Sequence, residues 1–376
     1  MTTDWSRLVR PSLVGIAPYD PGASLEELKA EHGLDELVKL NWNEGLQGPF
    51  PGVEEAVVAE LENAWMYPEQ AYSDFRRAVA DWLGTPPERI VPGHGIQALT
   101  ATVAHAFLDP GDAVVVPVPT YGLYGQVCAA VGAHVERVPA RGLRHDLEAV
   151  AAAAQRSHAR LAWICDPNNP TGSLLARGEW DAFLAALPPR CTVVVDEAYV
   201  EYVDPARRLL REQDVEAGRP LILLRTFSKI FGLAGLRLGY AVAHESLAAF
   251  LDVVQEPFNV NRAALAAGRA SLARVEMVEK RRRENAAARE LLADRLRRGG
   301  AEPALSEANF VLADVGVDDL ALCQLLLRRG LLVRAGSEFD LDGSVRITVG
   351  PEPLMERAAA EVAHAREELL AAGATR

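Results

Sequence analysis

Between residues 51 and 255 the chain switches repeatedly between two hydrophobic patterns. Apolar side chains recur every three to four positions over 53–64, 74–83, 97–108, 146–155 and 177–186, which predicts amphipathic helices. In 74–83, for example, Phe75, Val79 and Leu83 fall on one stripe. Between these segments lie short runs at 113–118, 133–138, 161–165, 192–195 and 221–225 that are largely apolar, not alternating. Strands of that kind need both faces buried, so the pattern predicts an α/β domain over 47–255. Its core is a mostly parallel sheet of the seven-stranded type, sandwiched by helices.

The pattern changes after residue 255. A long helical stretch over 261–298 is followed by shorter strands at 308–313, 331–333 and 344–349, a helix at 317–329 and a terminal helix from Pro353. This predicts a smaller α+β domain over 256–376, including its linking helix. The charged run 279–284 reads as a solvated helix face. Residues 1–46 read as an arm joining the small domain, broken by Pro11, Pro18 and Pro21. Ser24 and Glu27 there have the spacing of a helix capping box. Asn41 and Asn43 suit either turn formation or ligand contact.

Polar signatures follow the predicted strands. Tyr121 comes after 113–118, Asp166-Pro167-Asn168-Asn169-Pro170-Thr171-Gly172 after 161–165, and Asp196-Glu197-Ala198-Tyr199 after 192–195. After 221–225 comes Thr226-Phe227-Ser228-Lys229, continuing through glycines to Arg237. Parallel strands deliver their C-terminal ends to one edge, where α/β proteins bind ligands. Taken alone, the lysine stretch has two readings: an amine poised to form a Schiff base with a carbonyl cofactor, or a strand end with incidental polar residues. The coincidence of four polar signatures at one edge favours the first.

Composition narrows the partners. A net charge of −13 argues against nucleic acid or an anionic membrane surface. Lysine is scarce, with only Lys29, Lys39, Lys229 and Lys280 against 35 arginines, so a lysine at position 229 stands out. Cys128, Cys165, Cys191 and Cys323 lack metal-ligand or CxxC spacing, no metal is expected, and reduced thiols fit a cytoplasmic protein. Neither a signal peptide nor a membrane span is read.

A phosphate-bearing aldehyde cofactor would find its needs met. Asp196 can face a protonated ring nitrogen, while Tyr199 and Asn169 can hydrogen-bond a phenolate oxygen. Gly93-His94-Gly95-Ile96-Gln97 enters a helix whose N-terminal amides can hold phosphate, joined by Thr226, Ser228 and Arg237. With Ala98 that stretch matches the dinucleotide fingerprint. Its strand is short and not the first unit of the fold, so a nicotinamide site is rejected. Tyr121 can stack on a ring, and Arg346 and Arg334, each within an apolar strand, suit substrate anions.

On these residues the chain resembles the fold-type I pyridoxal-phosphate aminotransferases, and among them the histidinol-phosphate aminotransferase group. The similarity runs through Pro18-Tyr19-Asp20-Pro21-Gly22, Leu40-Asn41-Trp42-Asn43-Glu44, Tyr67-Pro68, 166–172, 196–199, 228–239 and 346–350. The resemblance implies an aspartate aminotransferase-like fold, a homodimer and pyridoxal 5'-phosphate. It implies Lys229 as Schiff-base lysine and proton carrier, Asp196 on the pyridinium nitrogen, and Asn169 and Tyr199 on the phenolate oxygen. Tyr121 would stack on the ring. Gly95, Ile96, Gln97, Thr226, Ser228 and Arg237 would hold the phosphate, with Tyr67 reaching across to the other subunit. Arg346 would take a carboxylate, and Tyr19, Asn43 and Arg334 would meet the rest of the substrate. The expected reaction is ping-pong transfer of an amino group to 2-oxoglutarate, with histidinol phosphate as donor. An aromatic amino acid aminotransferase is the alternative. More remote are a decarboxylase of phosphorylated amino acids and a non-catalytic cofactor binder. Ile96-Gln97-Ala98 and Trp42 depart from the family's pattern, the first beside the cofactor phosphate and the second beside the arm.

Overall fold

In the computed structural model, which describes residues 5–18 and 22–373, the fully apolar runs become the interior of one sheet. Its strands are β1 (Ile90–Gly93), β2 (Ala113–Val118), β3 (His134–Pro139), β4 (Leu161–Cys165), β5 (Thr192–Asp196), β6 (Leu221–Thr226) and β7 (Gly239–Ala243). They are ordered β1-β7-β6-β5-β4-β2-β3. Only β7 runs against the others, antiparallel to both β6 and β1. The remaining pairs are parallel. Burial explains the sequence pattern: β4, β5 and β6 are buried at every position.

Helices α1 (Ser73–Leu83), α2 (Ile96–Phe107), α3 (Leu123–Ala130), α4 (Leu147–Ser157), α5 (Arg177–Ala186) and α6 (Glu245–Val254) accompany the sheet. In α1 the predicted stripe is turned inward, with Phe75 and Val79 buried and Leu83 packed against the same core. A second apolar core lies under a four-stranded antiparallel sheet of β8 (Glu302–Pro303), β9 (Phe310–Asp314), β10 (Arg334–Ala335) and β11 (Ser344–Thr348), ordered β10-β11-β9-β8. Helices α7 (Glu276–Arg298), α8 (Asp319–Arg328) and α9 (Glu352–Ala371) contribute to it. Leu40 of the arm belongs to this second core, and Val38–Lys39 pairs in parallel with Leu331–Leu332.

Three expectations need correction. The helix over 53–64 ends at Leu61. The strand over 331–333 is divided: Leu331–Leu332 pairs with the arm, and β10 pairs with β11, because the chain changes sheets at Val333. The charged run 279–284 is not wholly solvated. Lys280, Arg282 and Arg283 make helix-face ion pairs, but Arg281 is buried and donates to the carbonyls of Ile230 (2.8 Å) and Pro49 (3.1 Å). One face of α7 meets the loop after β6, so a cation there finds carbonyls instead of water. The capping box forms as expected, with Glu27 accepting from the Ser24 amide at 2.8 Å. All four cysteines are free. Among the described residues no helix is long and apolar enough to cross a membrane.

Candidate active site

The ends of β4, β5 and β6, the loop after β2, the arm and the small sheet together enclose a cavity of about 900 Å³. Parallel strand direction is what brings them together: each strand's last residue or following loop opens at the same edge. Lys229 stands in the loop after β6. Its Nζ donates to the Trp42 carbonyl oxygen at 3.0 Å. Burial, reinforced by the nearby Arg346 guanidinium, brings the amine down to about 8. The loop is held against the arm by two glycines. A Cβ on Gly45 would lie 2.3 Å from the Lys229 carbonyl oxygen, and one on Gly232, at φ 71°, would lie 2.0 Å from that of Gly48.

Asp196 ends β5 and is buried, which pushes its carboxyl up to about 6. Two donors oppose that shift: the Tyr124 hydroxyl at 2.6 Å and the Ala198 amide at 2.9 Å. Tyr199 accepts a hydrogen bond from the Asn43 side-chain amide at 3.1 Å, and its ring lies 5.6 Å from the lysine Nζ. Burial raises the Tyr199 phenol above its ordinary value. Asn169 accepts from Arg346, which is buried in β11 and also donates to the Asn41 carbonyl.

One rim of the cavity is an anion cradle. Gly95, at φ 92°, precedes α2, so the helix amides at Ile96 and Gln97 open toward it. A Cβ at Gly95 would come within 2.8 Å of Arg237 Nη2. Thr226 donates to the Ser228 hydroxyl at 2.9 Å. Arg237 takes a left-handed backbone at φ 55° and donates to Gln97 Oε1 at 3.2 Å. Gln97 in turn donates to the Tyr121 hydroxyl at 3.0 Å. Arg334, paired with Glu338, lines the same cavity.

The candidate residues drawn together are therefore Ile96, Gln97, Tyr121, Asn169, Asp196, Tyr199, Thr226, Ser228, Lys229, Arg237, Asn43, Arg334 and Arg346, with Gly95 behind the cradle. Tyr67 does not join them within the chain; it stacks on Phe258 with ring centroids 4.9 Å apart and is 79% exposed. Tyr19 lies outside the described residues.

Sequence reasoning missed Tyr124, whose signal was its place three residues after Tyr121 at the start of a helix. It also missed a buried ion network behind the strand ends. Arg211 bridges Asp166 (2.5 Å) and Glu197 (2.9 Å), and Arg225 joins Glu197 (2.8 Å) to Glu212 (2.6 Å). Nothing local distinguishes two such arginines among 35.

Comparison with known proteins agrees with this geometry. The family described as aminotransferase class I and II matches residues 35–362. A histidinol-phosphate aminotransferase of Geobacillus thermodenitrificans is 37% identical over 96% of this chain and 98% of its own. One from Symbiobacterium thermophilum is 39% identical over 91% and 94%. The crystal structure of the Sinorhizobium meliloti histidinol-phosphate aminotransferase, in complex with pyridoxal-5'-phosphate, superposes with a TM-score of 0.89 at 29% identity, covering 96% of this chain and 98% of that one. With the family matched over most of its length and curated relatives above 30% identity along nearly all of it, the chain belongs to the class I and II aminotransferases.

Proposed function

We propose that this aminotransferase uses pyridoxal 5'-phosphate to move an amino group between histidinol phosphate and 2-oxoglutarate, as a cytoplasmic homodimer. The cavity suits that cofactor: a cradle that a Cβ on Gly95 would intrude upon, two hydroxyls, a guanidinium and a helix N-terminus at one end, and a buried carboxylate at the other. In this reading Thr226, Ser228, Arg237 and the amides of Ile96 and Gln97 hold the phosphate. Asp196 holds the proton on the ring nitrogen, Asn169 and Tyr199 meet the phenolate oxygen, and Tyr121 covers the ring. The domain division proposed is arm 1–46, large domain 47–255 and linking helix with small domain 256–376. Leu40 in the second core supports assigning the arm to the small domain.

When bound, the cofactor supplies an electron sink for the pair left behind as Cα loses its proton. The chain supplies the base. With its amine brought down to about 8, more of Lys229 is neutral near pH 7 than of an ordinary lysine. The neutral amine takes the proton at Cα, and the ammonium so formed is the acid for the next transfer. Arg346, fixed by Asn169 and the Asn41 carbonyl, orients a carboxylate.

The observation that carries the proposal is the Lys229 amine, half-buried and lowered to about 8, in one cavity with the buried Asp196. Replacing Lys229 with Ala is expected to abolish transamination, and wild-type turnover by that variant would refute the assignment. The donor is tested by a panel with 2-oxoglutarate as acceptor. Histidinol phosphate should give the highest kcat/KM, and a higher value for phenylalanine or tyrosine would replace it with an aromatic donor.

The homodimer reading is supported by the stretch 58–67, in which Val58, Leu61, Trp65 and Tyr67 are all more than half exposed. So many exposed apolar groups in one short stretch suit an interaction site. A second copy there would bring Tyr67 toward a neighbouring cradle.

A further inference from the structure

The two arginines of the cavity are neighbours in register, Arg334 of β10 lying opposite Arg346 of β11, yet their surroundings differ. Arg346 is buried and committed to Asn169 and the Asn41 carbonyl. Arg334 keeps about a fifth of its side chain exposed, and its Nη2 lies 2.6 Å from Glu338 Oε2. Glu338 belongs to the short turn Gly336–Phe339, four residues on, and its side chain is 41% exposed. The Phe339 ring lies near both guanidinium groups, 5.9 Å from the Arg334 Cζ and 5.2 Å from that of Arg346. A contact with the ring face uses none of the Arg334 donors.

An ion pair whose carboxylate partner is exposed is weakly held, because water and salt screen it. A phosphate dianion brings more charge and more acceptor oxygens than a single carboxylate, and guanidinium binds it through paired donors. We propose that Glu338 is a displaceable counter-ion of Arg334, occupying the guanidinium until the phosphate end of a substrate takes its place. The inference rests on the proposed donor, histidinol phosphate, and takes Arg334, which lines the cavity, as the residue that receives its phosphate. It assigns Glu338 a part in specificity. A ping-pong enzyme admits two substrates with different ends to one cavity, and an internal carboxylate keeps Arg334 neutralised whenever the occupant brings no anion to it. The repulsion Glu338 exerts also raises the threshold for weakly charged ligands, which is discrimination by an opposing element.

The test is calorimetric titration of the cofactor-loaded protein with inorganic phosphate at fixed ionic strength, the cofactor's own phosphate already filling the cradle at α2. Glu338→Gln is expected to tighten phosphate binding about five- to tenfold. Arg334→Gln should weaken it at least tenfold, and the double variant should match Arg334→Gln alone. Asp340 lines the same cavity without pairing with Arg334, so Asp340→Asn should change affinity less than twofold. An unchanged or weaker affinity in Glu338→Gln would overturn the proposal. So would a gain that persists without Arg334, or an equal gain in Asp340→Asn. Turnover of histidinol phosphate is measured separately. If turnover is absent while the Arg334-dependent phosphate response holds, the donor assignment falls and the counter-ion stands. If Arg334→Gln leaves phosphate binding untouched while histidinol phosphate is still used, the counter-ion falls and the donor assignment stands.

Discussion

Tyr124 reaches Asp196 from the first residues of α3, and its hydroxyl is one of two donors that keep a buried carboxylate charged. Its ring is held parallel to Trp163 at 5.0 Å, so the hydroxyl has little freedom to leave. The sign of its effect follows directly. Burial favours the neutral acid and raises Asp196 to about 6, while a donor to the anion pulls the other way. Tyr124→Phe should therefore raise the Asp196 pKa further, by about one unit for a hydrogen bond to a charged group. Cofactor affinity depends on the ionised carboxylate, so it should decline as pH falls through that pKa. In the variant the decline should begin at higher pH, as measured by the Kd of pyridoxal phosphate from pH 5 to 8. Superimposable curves would show that Tyr124 has no electrostatic part. Tyr124 was passed over in the sequence, despite its spacing from Tyr121, because an aromatic at a helix start is core by default. Arg346 was legible because a cation inside an apolar strand needs a reason.

At the scale of elements, the three strand ends that carry the site are joined from behind by charge. Asp166 follows β4, Glu197 follows β5 and Arg225 lies in β6, and Arg211 closes the gap between the first two. Removing Arg211 leaves Asp166 without its cation and Glu197 with Arg225 alone. Arg211→Leu should thus cost about 3–5 kcal/mol of stability, read from the midpoint of denaturant unfolding. A loss below about 1 kcal/mol would mean that packing alone aligns the strands. The strands themselves were readable in advance, since burial on both faces demands unbroken apolar runs. The network was not, because its members at 166, 197, 211, 212 and 225 meet only after the sheet has formed.

For the whole molecule, the proposed dimer implies that the face around Trp65 is covered. Trp65 is 81% exposed in the single chain. Trp65→Asp should shift the protein toward monomer in sedimentation velocity, with transaminase activity falling in step. A dimer unchanged at micromolar concentration would place the interface elsewhere. The path of the arm was only partly legible: its capping box and turns are local, whereas its pairing with Leu331–Leu332 joins residues nearly three hundred positions apart.

The partner of the Lys229 amine is the backbone carbonyl of residue 42, whatever side chain that residue bears. No substitution at 42 can delete an oxygen that every amino acid carries. The indole at that position lies under the Lys39 ammonium at 3.5 Å, and exchanging it would remove that contact while the acceptor stays in place. Position 42 thereby has two separate parts in the site: its main chain accepts from the lysine, and its side chain lines the same cavity.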